Sequence, residues 1–313
     1  MKIAVVGTGS IGVRYLAAIA ASKSCTLCGI CDINEEAAKL YAEKYAVPYF
    51  TDYKQIPEKC DADAVIINLP HWLHCEVTEF FLDSGIHVFV EKPMANTSEE
   101  CRRMIAARDR SGKHLAVAQP QRFNPVNRRV KEIIKSGEFG ELCMTTEFRS
   151  DNYFRDARPR WFLKKALSGG GIVMNFGAHS LDRLLYITDS KVTDIAASMG
   201  NIKNEYDIEG HAQITLKFEN GVSASTTLFG YASTSREVHY YFTNGALKMV
   251  DFNKLFRFEA GQWTPVELPP APNSLELGLE EFCKLLRGEP SDVPSAEFGL
   301  EVIDLIEKIY QMQ

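Results

Sequence analysis

The sequence has no apolar stretch approaching the ~18 residues needed to span a bilayer, which argues against a helical membrane protein. It also lacks an excess of positive charge: 35 lysines and arginines stand against 41 aspartates and glutamates, a net charge of −6. Without a basic footprint, nucleic acid is not an expected partner. There is no internal repeat and no low-complexity tract, only a short rigid connection at Pro269-Pro270-Ala271-Pro272. The first strand is expected from residue 2, which leaves no room for a leader peptide, so the expected location is cytoplasmic. Cysteine is not scarce, at eight residues, but the pattern of a metal site is missing. Cys25, Cys28 and Cys31 form a C-x2-C-x2-C run on an expected strand, where Cys25 and Cys31 point one way and Cys28 the other. No fourth ligand follows at a suitable spacing, so no metal is expected. The remaining cysteines are scattered and read as reduced thiols.

What is present suggests two domains, since a single core usually stops growing near 250–300 residues and this chain has 313. The first ~120 residues alternate apolar strands with helical patterns, as in a doubly wound parallel sheet. Ile3–Val6 reads as a buried strand, and Gly7-x-Gly9-x-x-Gly12 falls where that strand must turn into a helix. Gly7 permits the tight turn, Gly9 lets the backbone approach a pyrophosphate, and Gly12 allows close helix–strand packing. The helix N-terminus then offers N–H groups and the positive end of a dipole to the phosphates. Asp32 ends the next expected strand twenty positions after Gly12, the spacing of a carboxylate that holds the adenosine ribose hydroxyls. Ile33 and Asn34 give a 2′-phosphate no cation, so NAD is expected rather than NADP, with Arg14 as the one residue that could reverse the preference.

Further strands are expected at 48–50, 64–68, 87–90 and 115–118, the fifth ending in Glu91-Lys92-Pro93. Thr97-x-x-Glu100 is a capping box that opens a helix to about Gly112. After Gln119 the pattern changes to two-residue alternation. His211–Phe218 places Ala212, Ile214, Leu216 and Phe218 on one face, and Asn220-Gly221 and Asn244-Gly245 read as hairpin turns. The expected divisions are therefore residues 1–120, a Rossmann dinucleotide-binding domain, and 121–313, an α/β domain with an open, mainly antiparallel sheet for substrate binding and oligomerisation. Gln213, Thr215, Ser223, Ser225 and Thr227 form a polar, poorly charged outer face, either solvated or paired with a second subunit. Helices are expected at about 125–136, 275–287 and 296–310.

With these marks the chain resembles the Gfo/Idh/MocA family of nicotinamide-dependent sugar and inositol dehydrogenases over essentially its whole length. The N-terminal marks are the glycine run, Asp61-Ala62-Asp63-Ala64-Val65, Leu69-Pro70-x-x-x-His74 and Glu91-Lys92-Pro93. The second-domain marks are Arg122-Phe123-Asn124-Pro125, Trp161, and Gly169-Gly170-Gly171-x-x-x-Asn175-x-Gly177-x-His179-x-x-Asp182. The resemblance implies a cyclic polyol, sugar or sugar derivative as substrate, and a homodimer or homotetramer that buries the open sheet. Family members commonly carry Asp where this chain has Asn175 and Asn where it has His71. On the cofactor side the expected residues are Gly7, Thr8, Gly9, Ser10, Ile11, Gly12, Asp32, Asn68, Leu69, Pro70, His74, Glu91, Lys92 and Gln119. On the substrate side they are Lys92, Arg122, Tyr153, Trp161, Asn175 and His179.

Oxidising a secondary alcohol needs a base for the hydroxyl proton while hydride leaves carbon. Lys92 follows the carboxyl end of a strand, where ligands bind in open parallel sheets, and its ammonium can hold the alcohol oxygen or pass on its proton. His179 lies four residues after Asn175, on the same face if the segment is helical, and imidazole titrates near neutrality. Lys92, His179 and Asn175 are the catalytic candidates. Asn175 can orient a hydroxyl or the imidazole but cannot neutralise an imidazolium, so His179 should be less basic than beside an Asp. Asp182 either supplies part of that charge or merely caps or pairs with Arg183. Arg155, Arg158, Arg160, Lys164 and Lys165 form a basic stretch, read as a solvated or subunit-contact loop or as recognition of a substrate phosphate or carboxylate. Two other functions share this pattern: a glycosidase that uses NAD without net redox, and a non-enzymatic dinucleotide sensor, against which the retention of both Lys92 and His179 speaks.

Overall fold

The computed structural model describes residues 1–203 and 205–312, which group into two units: Met1–Gln119 with Leu275–Ile303, and Pro120–Ser274 with the residues from Asp304. In the first unit the chain runs β1 (Lys2–Val6), α1 (Ser10–Ala21), β2 (Thr26–Cys31), α2 (Glu35–Tyr45), β3 (Tyr49–Phe50), α3 (Ile56–Lys59), β4 (Ala64–Ile67), α4 (His74–Asp83), β5 (His87–Glu91), α5 (Ser98–Ser111) and β6 (Leu115–Ala118). The six strands are all parallel in the order β3-β2-β1-β4-β5-β6. Ile3, Val5, Ala64, Ile66 and Phe89 have almost no exposure because helices cover both faces of such a sheet. Helix starts follow local chemistry: Thr97 Oγ1 accepts the Glu100 N–H, and the Glu100 carboxylate accepts the Thr97 N–H in return. At the β6 edge, Val117 donates its N–H to the Pro294 carbonyl at 3.0 Å, so a loop covers a strand that would otherwise be open.

The second unit contains α6 (Pro125–Ser136), β7 (Leu142–Ser150), α7 (Lys165–Ser168), a π-helical turn (Val173–Gly177), α8 (Ala178–Thr188), β8 (Val192–Gly200), β9 (His211–Phe218), β10 (Ser223–Phe229), β11 (Arg236–Phe242), β12 (Gly245–Val250), β13 (Lys254–Glu259) and β14 (Gln262–Val266). Its eight strands run β14-β13-β12-β11-β7-β10-β9-β8, antiparallel except where β7 lies parallel to β10. Pro265 is tolerated because β14 is an edge strand. One face is apolar, and the other carries Thr215, Ser225 and Thr227 as the alternation predicts. That outer face is less polar than expected, because Met144, Phe148 and Phe258 are all exposed large apolar side chains.

Two differences from the sequence reading have clear causes. Strand β7 shows no recognisable alternation because Thr145 and Glu147 turn inward while Met144 and Phe148 turn outward. Glu147 is buried against Arg183 of α8, with 2.5 Å between their charged atoms, so an ion pair occupies the place where an apolar side chain would reveal the strand. The second difference concerns the C-terminal helices, α9 (Ser274–Leu286) and α10 (Ala296–Tyr310). The expected second domain ran without interruption from 121 to 313, whereas Leu275–Ile303 groups with the first unit. Leu279, Phe282 and Cys283 enter the first unit's core, and Phe282 stacks on Phe89 of β5 at 4.8 Å.

Removing that ring tests the assignment. Phe282→Ala should lower the stability of the first unit by about 3–5 kcal/mol, read from the urea midpoint. A loss below about 1 kcal/mol would place α9 outside this core.

Candidate functional site

At the glycine turn of the first unit, backbone packs directly on backbone. Gly7 has φ +93°, and a Cβ there would sit 2.5 Å from the Asn68 carbonyl oxygen. A Cβ on Gly12 would lie 2.0 Å from the Gly7 carbonyl oxygen. Gly9 differs: a Cβ would meet nothing within 4 Å, and Gly9 caps α1 with no side-chain hydrogen bond. The N-terminus of α1 is therefore approachable, as a diphosphate requires.

Asp32 follows β2 beside this turn. Its Oδ2 accepts the Thr8 N–H at 2.7 Å and the Thr8 hydroxyl at 2.6 Å, and its Oδ1 accepts the Asn34 N–H at 2.9 Å. These bonds fix the carboxylate against the glycine turn, and Ile33 next to it is 93% exposed. Ser10 is exposed and Ile11 half-buried at the start of α1. After β4, both amide atoms of Asn68 are buried with no hydrogen-bond partner among the described residues, as is Oε1 of Gln119. Orphaned polar atoms of this kind fit a ligand that brings hydroxyl or carboxamide groups. The first unit thus suits a dinucleotide, with phosphates at the Gly9 turn and polar ends near Asn68 and Gln119.

His74 has two sequence readings, a place beside the nicotinamide ribose or a helix N-terminal residue with only a structural bond, and the bonds seen are of the second kind. It is fully buried, with Nδ1 2.9 Å from the Pro93 carbonyl and Nε2 2.8 Å from the Leu69 carbonyl. It braces the Leu69-Pro70 and Lys92-Pro93 segments together instead of lining a ribose. Burial lowers its pKa, while the two carbonyls work in the opposite direction. Glu91 ends β5, where its carboxylate accepts the Lys92 N–H at 3.1 Å and the Tyr15 hydroxyl at 3.3 Å. Burial pushes Glu91 up to about 7, although the Lys92 charge and these donors favour the ionised form.

In the second unit the site is built on another glycine turn. A Cβ on Gly170 would lie 1.9 Å from the Tyr310 hydroxyl, and one on Gly171 would lie 2.1 Å from the Glu209 carbonyl oxygen. The buried Glu209 carboxylate accepts the Gly171 N–H at 3.0 Å, the Val173 N–H at 2.8 Å and the Tyr310 hydroxyl at 2.8 Å. The Tyr310 oxygen in turn accepts the Met174 N–H at 3.2 Å. These bonds anchor the π-helical turn that carries Asn175 and leads into α8 with His179.

Asn175 is buried, and its side chain hydrogen-bonds the Tyr153 hydroxyl. Tyr153 also donates to the Gly171 carbonyl at 3.3 Å and has no exposed surface. The expectation that Tyr153 offers its hydroxyl to substrate is therefore corrected: it supports Asn175 from behind. His179 is half-buried, with Nδ1 3.4 Å from Gln121 Nε2. The Asn127 amide nitrogen occupies the Gln121 oxygen at 3.0 Å, so Gln121 turns its NH₂ to the imidazole, making Nδ1 the acceptor. Asp182 is buried and accepts the Gln121 N–H at 3.1 Å, so it fixes the residue that orients His179. Trp161 stacks on Phe162 at 3.7 Å, and the Arg122 guanidinium lies 5.9 Å from the Tyr186 ring. In the basic stretch, Arg155, Arg160, Lys164 and Lys165 are exposed and Arg158 is buried. Gln121, Glu209 and Tyr310 were not anticipated. Gln121 stands directly before the quoted Arg122-Phe123-Asn124-Pro125 mark, the one signal that pointed towards it. Among the described residues no group of three His, Cys, Asp or Glu forms a metal-binding arrangement, and no helix is long and apolar enough to cross a membrane.

Comparison with known proteins agrees with this architecture. The model of the Gfo/Idh/MocA oxidoreductase family, with its NAD-binding Rossmann fold, matches residues 1–119, and the family's C-terminal domain matches 127–248. This chain belongs to that family, and its first unit is an NAD-binding Rossmann domain. It is 31% identical over 339 residues to D-glucoside 3-dehydrogenase of Escherichia coli K12, covering 99% of this chain and 95% of the relative. It is also 31% identical over 233 residues to 1-carboxy-3-chloro-3,4-dihydroxycyclohexa-1,5-diene dehydrogenase of Comamonas testosteroni, where the match covers 74% of this chain but 58% of the relative. Among solved structures, the WlbA dehydrogenase of Bordetella pertussis in complex with NADH and UDP-GlcNAcA superposes with a TM-score of 0.87 at 25% identity, covering 100% of this chain and 96% of that one.

The raised carboxyl of Glu91 gives a signed prediction. Its folded-state pKa of about 7 lies above the ordinary 4.5, so its contribution is fully present below about 4.5 and lost as pH rises through about 7. Between pH 5 and pH 8, Glu91→Gln should therefore gain stability relative to the wild type, measured by urea midpoints. A constant difference between the two proteins would mean that this carboxyl titrates normally.

Proposed function

We propose that this protein is an NAD-dependent dehydrogenase that oxidises a secondary hydroxyl of a sugar, cyclic polyol or sugar derivative. The observation that carries the reading is the held pair on the second unit's glycine turn, a buried Asn175 amide and a half-buried His179 imidazole with its Nδ1 fixed by Gln121. When bound, the nicotinamide accepts hydride. The protein's task is then to place the hydroxyl and take its proton. The Asn175 amide holds the hydroxyl, and His179 exchanges the proton through Nε2, the ring nitrogen opposite the one that Gln121 contacts. Lys92, just past β5, holds the oxygen through its ammonium. Because Asn175 carries no charge, the imidazolium has no carboxylate at that position and His179 is less basic than beside an Asp.

NAD is preferred over NADP in this reading. The Asp32 carboxylate, fixed by Thr8, repels a 2′-phosphate, and the neighbouring Ile33 and Asn34 offer it no cation. Assembly into a homodimer or homotetramer through the outer face of the eight-stranded sheet belongs to the same proposal. It is supported by Met144 and Phe258, each 43% exposed on strands of that sheet. Eight free cysteines support a reducing, cytoplasmic setting.

Replacement of the catalytic groups tests the scheme, with NAD⁺ reduction followed over a panel of sugars, sugar acids and inositols. Lys92→Ala and His179→Ala should each lower kcat by roughly 10²–10⁴ while NAD affinity barely changes. Asn175→Asp should raise the histidine's pKa and, in the reverse direction where NADH reduces the carbonyl and the imidazolium is required, move the basic limb of the pH profile upward. Full activity in His179→Ala would remove the proposed base, and an unmoved profile in Asn175→Asp would show that the two side chains do not couple.

A further inference from the structure

Arg158 is the basic residue of the 155–165 stretch that the scheme above leaves unused. It is 6% exposed, and its guanidinium carbon lies 3.9 Å above the Tyr153 ring and 5.1 Å from the Phe162 ring. Its Nε is buried without a hydrogen-bond partner among the described residues, and the carboxylate that acts on its charge is that of Asp151. The nearby Asp151 carboxylate lies 3.9 Å from Arg155 and 3.8 Å from Arg236, so it already serves two other cations. Arg183, buried in the same unit, differs in having the Glu147 carboxylate at 2.5 Å. A buried guanidinium without such a partner is costly, because an aromatic face attracts the charge but offers no acceptor to its in-plane N–H groups.

The position of this charge is informative. Tyr153 separates Arg158 from Asn175, with the guanidinium on the ring face and the Asn175 amide on the hydroxyl. An anionic group held by Arg158 would therefore lie one aromatic ring from the amide that holds the reacting hydroxyl. A planar fork with one uncompensated positive charge matches a carboxylate, which is planar and carries one negative charge. A phosphate dianion would need a second cation at the same place, and Arg155 is exposed and drawn to Asp151.

We propose that Arg158 determines specificity by receiving a substrate carboxylate, so that the substrates are acidic sugars or carboxylated cyclic polyols. This rests on the dehydrogenase reading for its place in a reaction, but binding tests it separately. With NADH present, calorimetric titration should show wild-type protein binding D-glucuronate, D-galacturonate or quinate at least about tenfold tighter than D-glucose, D-galactose or myo-inositol. Arg158→Met keeps an apolar contact with Tyr153 and removes the fork, and it should weaken acid binding by about 10²-fold while leaving the neutral compounds unchanged. Arg158→Lys keeps the charge without the fork, recovers part of the loss, and serves if the Met variant does not fold.

A wild type with no preference for any acid over its neutral counterpart overturns the proposal, as does an Arg158 variant that binds acids like the wild type. Arg158-dependent preference for glucose 6-phosphate over glucuronate overturns the carboxylate assignment. NADH formation from NAD⁺ and the same compounds separates the two readings. Arg158-dependent acid binding without NADH formation supports the carboxylate site and counts against the dehydrogenase. Equal NADH formation from acids and neutral sugars, in wild type and variant alike, leaves the dehydrogenase and removes the carboxylate.

Discussion

Close approach of one backbone segment to another, at positions that no Cβ can occupy, is the constraint on which both units depend. At Gly12 the start of α1 meets the Gly7 carbonyl, and at Gly7 the turn meets the Asn68 carbonyl. Any side chain at either position would push the helix off the sheet and move its N-terminus away from where the β1 turn presents it. The second unit repeats the backbone contact at Gly171, which meets the Glu209 carbonyl, and adds a side-chain contact at Gly170, which meets the Tyr310 hydroxyl. These glycines are therefore positional parts of a site and not simply flexible links.

The buried Glu209 carboxylate shows how such a turn is held. Taking a carboxylate out of water is unfavourable, and burial accordingly raises the pKa of Glu209. Two backbone N–H groups and the Tyr310 hydroxyl offset that cost, and the same bonds fix the segment from Gly171 into the π-helical turn. A π-helical turn is an uncommon conformation that often accompanies function, and here it carries Asn175 just before α8. Asn175 and His179 are thus held in place by residues that lie far away in sequence, Glu209 and Tyr310 on one side and Gln121 on the other.

Sequence alone made the first unit largely legible because its signals are local. A parallel sheet covered on both faces reads as short apolar runs, the glycine spacing marks the turn, and Thr97 with Glu100 marks a helix start. The second unit was half legible. Strands β9 to β12 follow from alternation and two Asn-Gly turns, whereas β7 was hidden by the inward-facing Glu147 and β8 by the lack of a regular buried pattern. Long-range partnerships left no local trace. Nothing near residue 282 indicates that its ring stacks on Phe89, and nothing near Glu209 points to Gly171. Asn175 and His179 were visible as a spaced pair, but the supporting role of Tyr153 and the bracing role of His74 depend on burial, which spacing does not report.

The central claim is that the open side of the first glycine turn exists to receive a dinucleotide, and Gly9 tests it most directly. Gly9 has φ −64° and ψ −174°, a conformation that other residues adopt, and a Cβ there meets nothing within 4 Å. Gly9→Val should therefore leave the thermal midpoint within about 2 °C of the wild type, as expected of a substitution that disturbs no packing. The same change should weaken NAD binding by at least about 10²-fold in a calorimetric titration, because the added methyls occupy the space the diphosphate needs. Undiminished NAD affinity in a stable Gly9→Val protein would contradict the account.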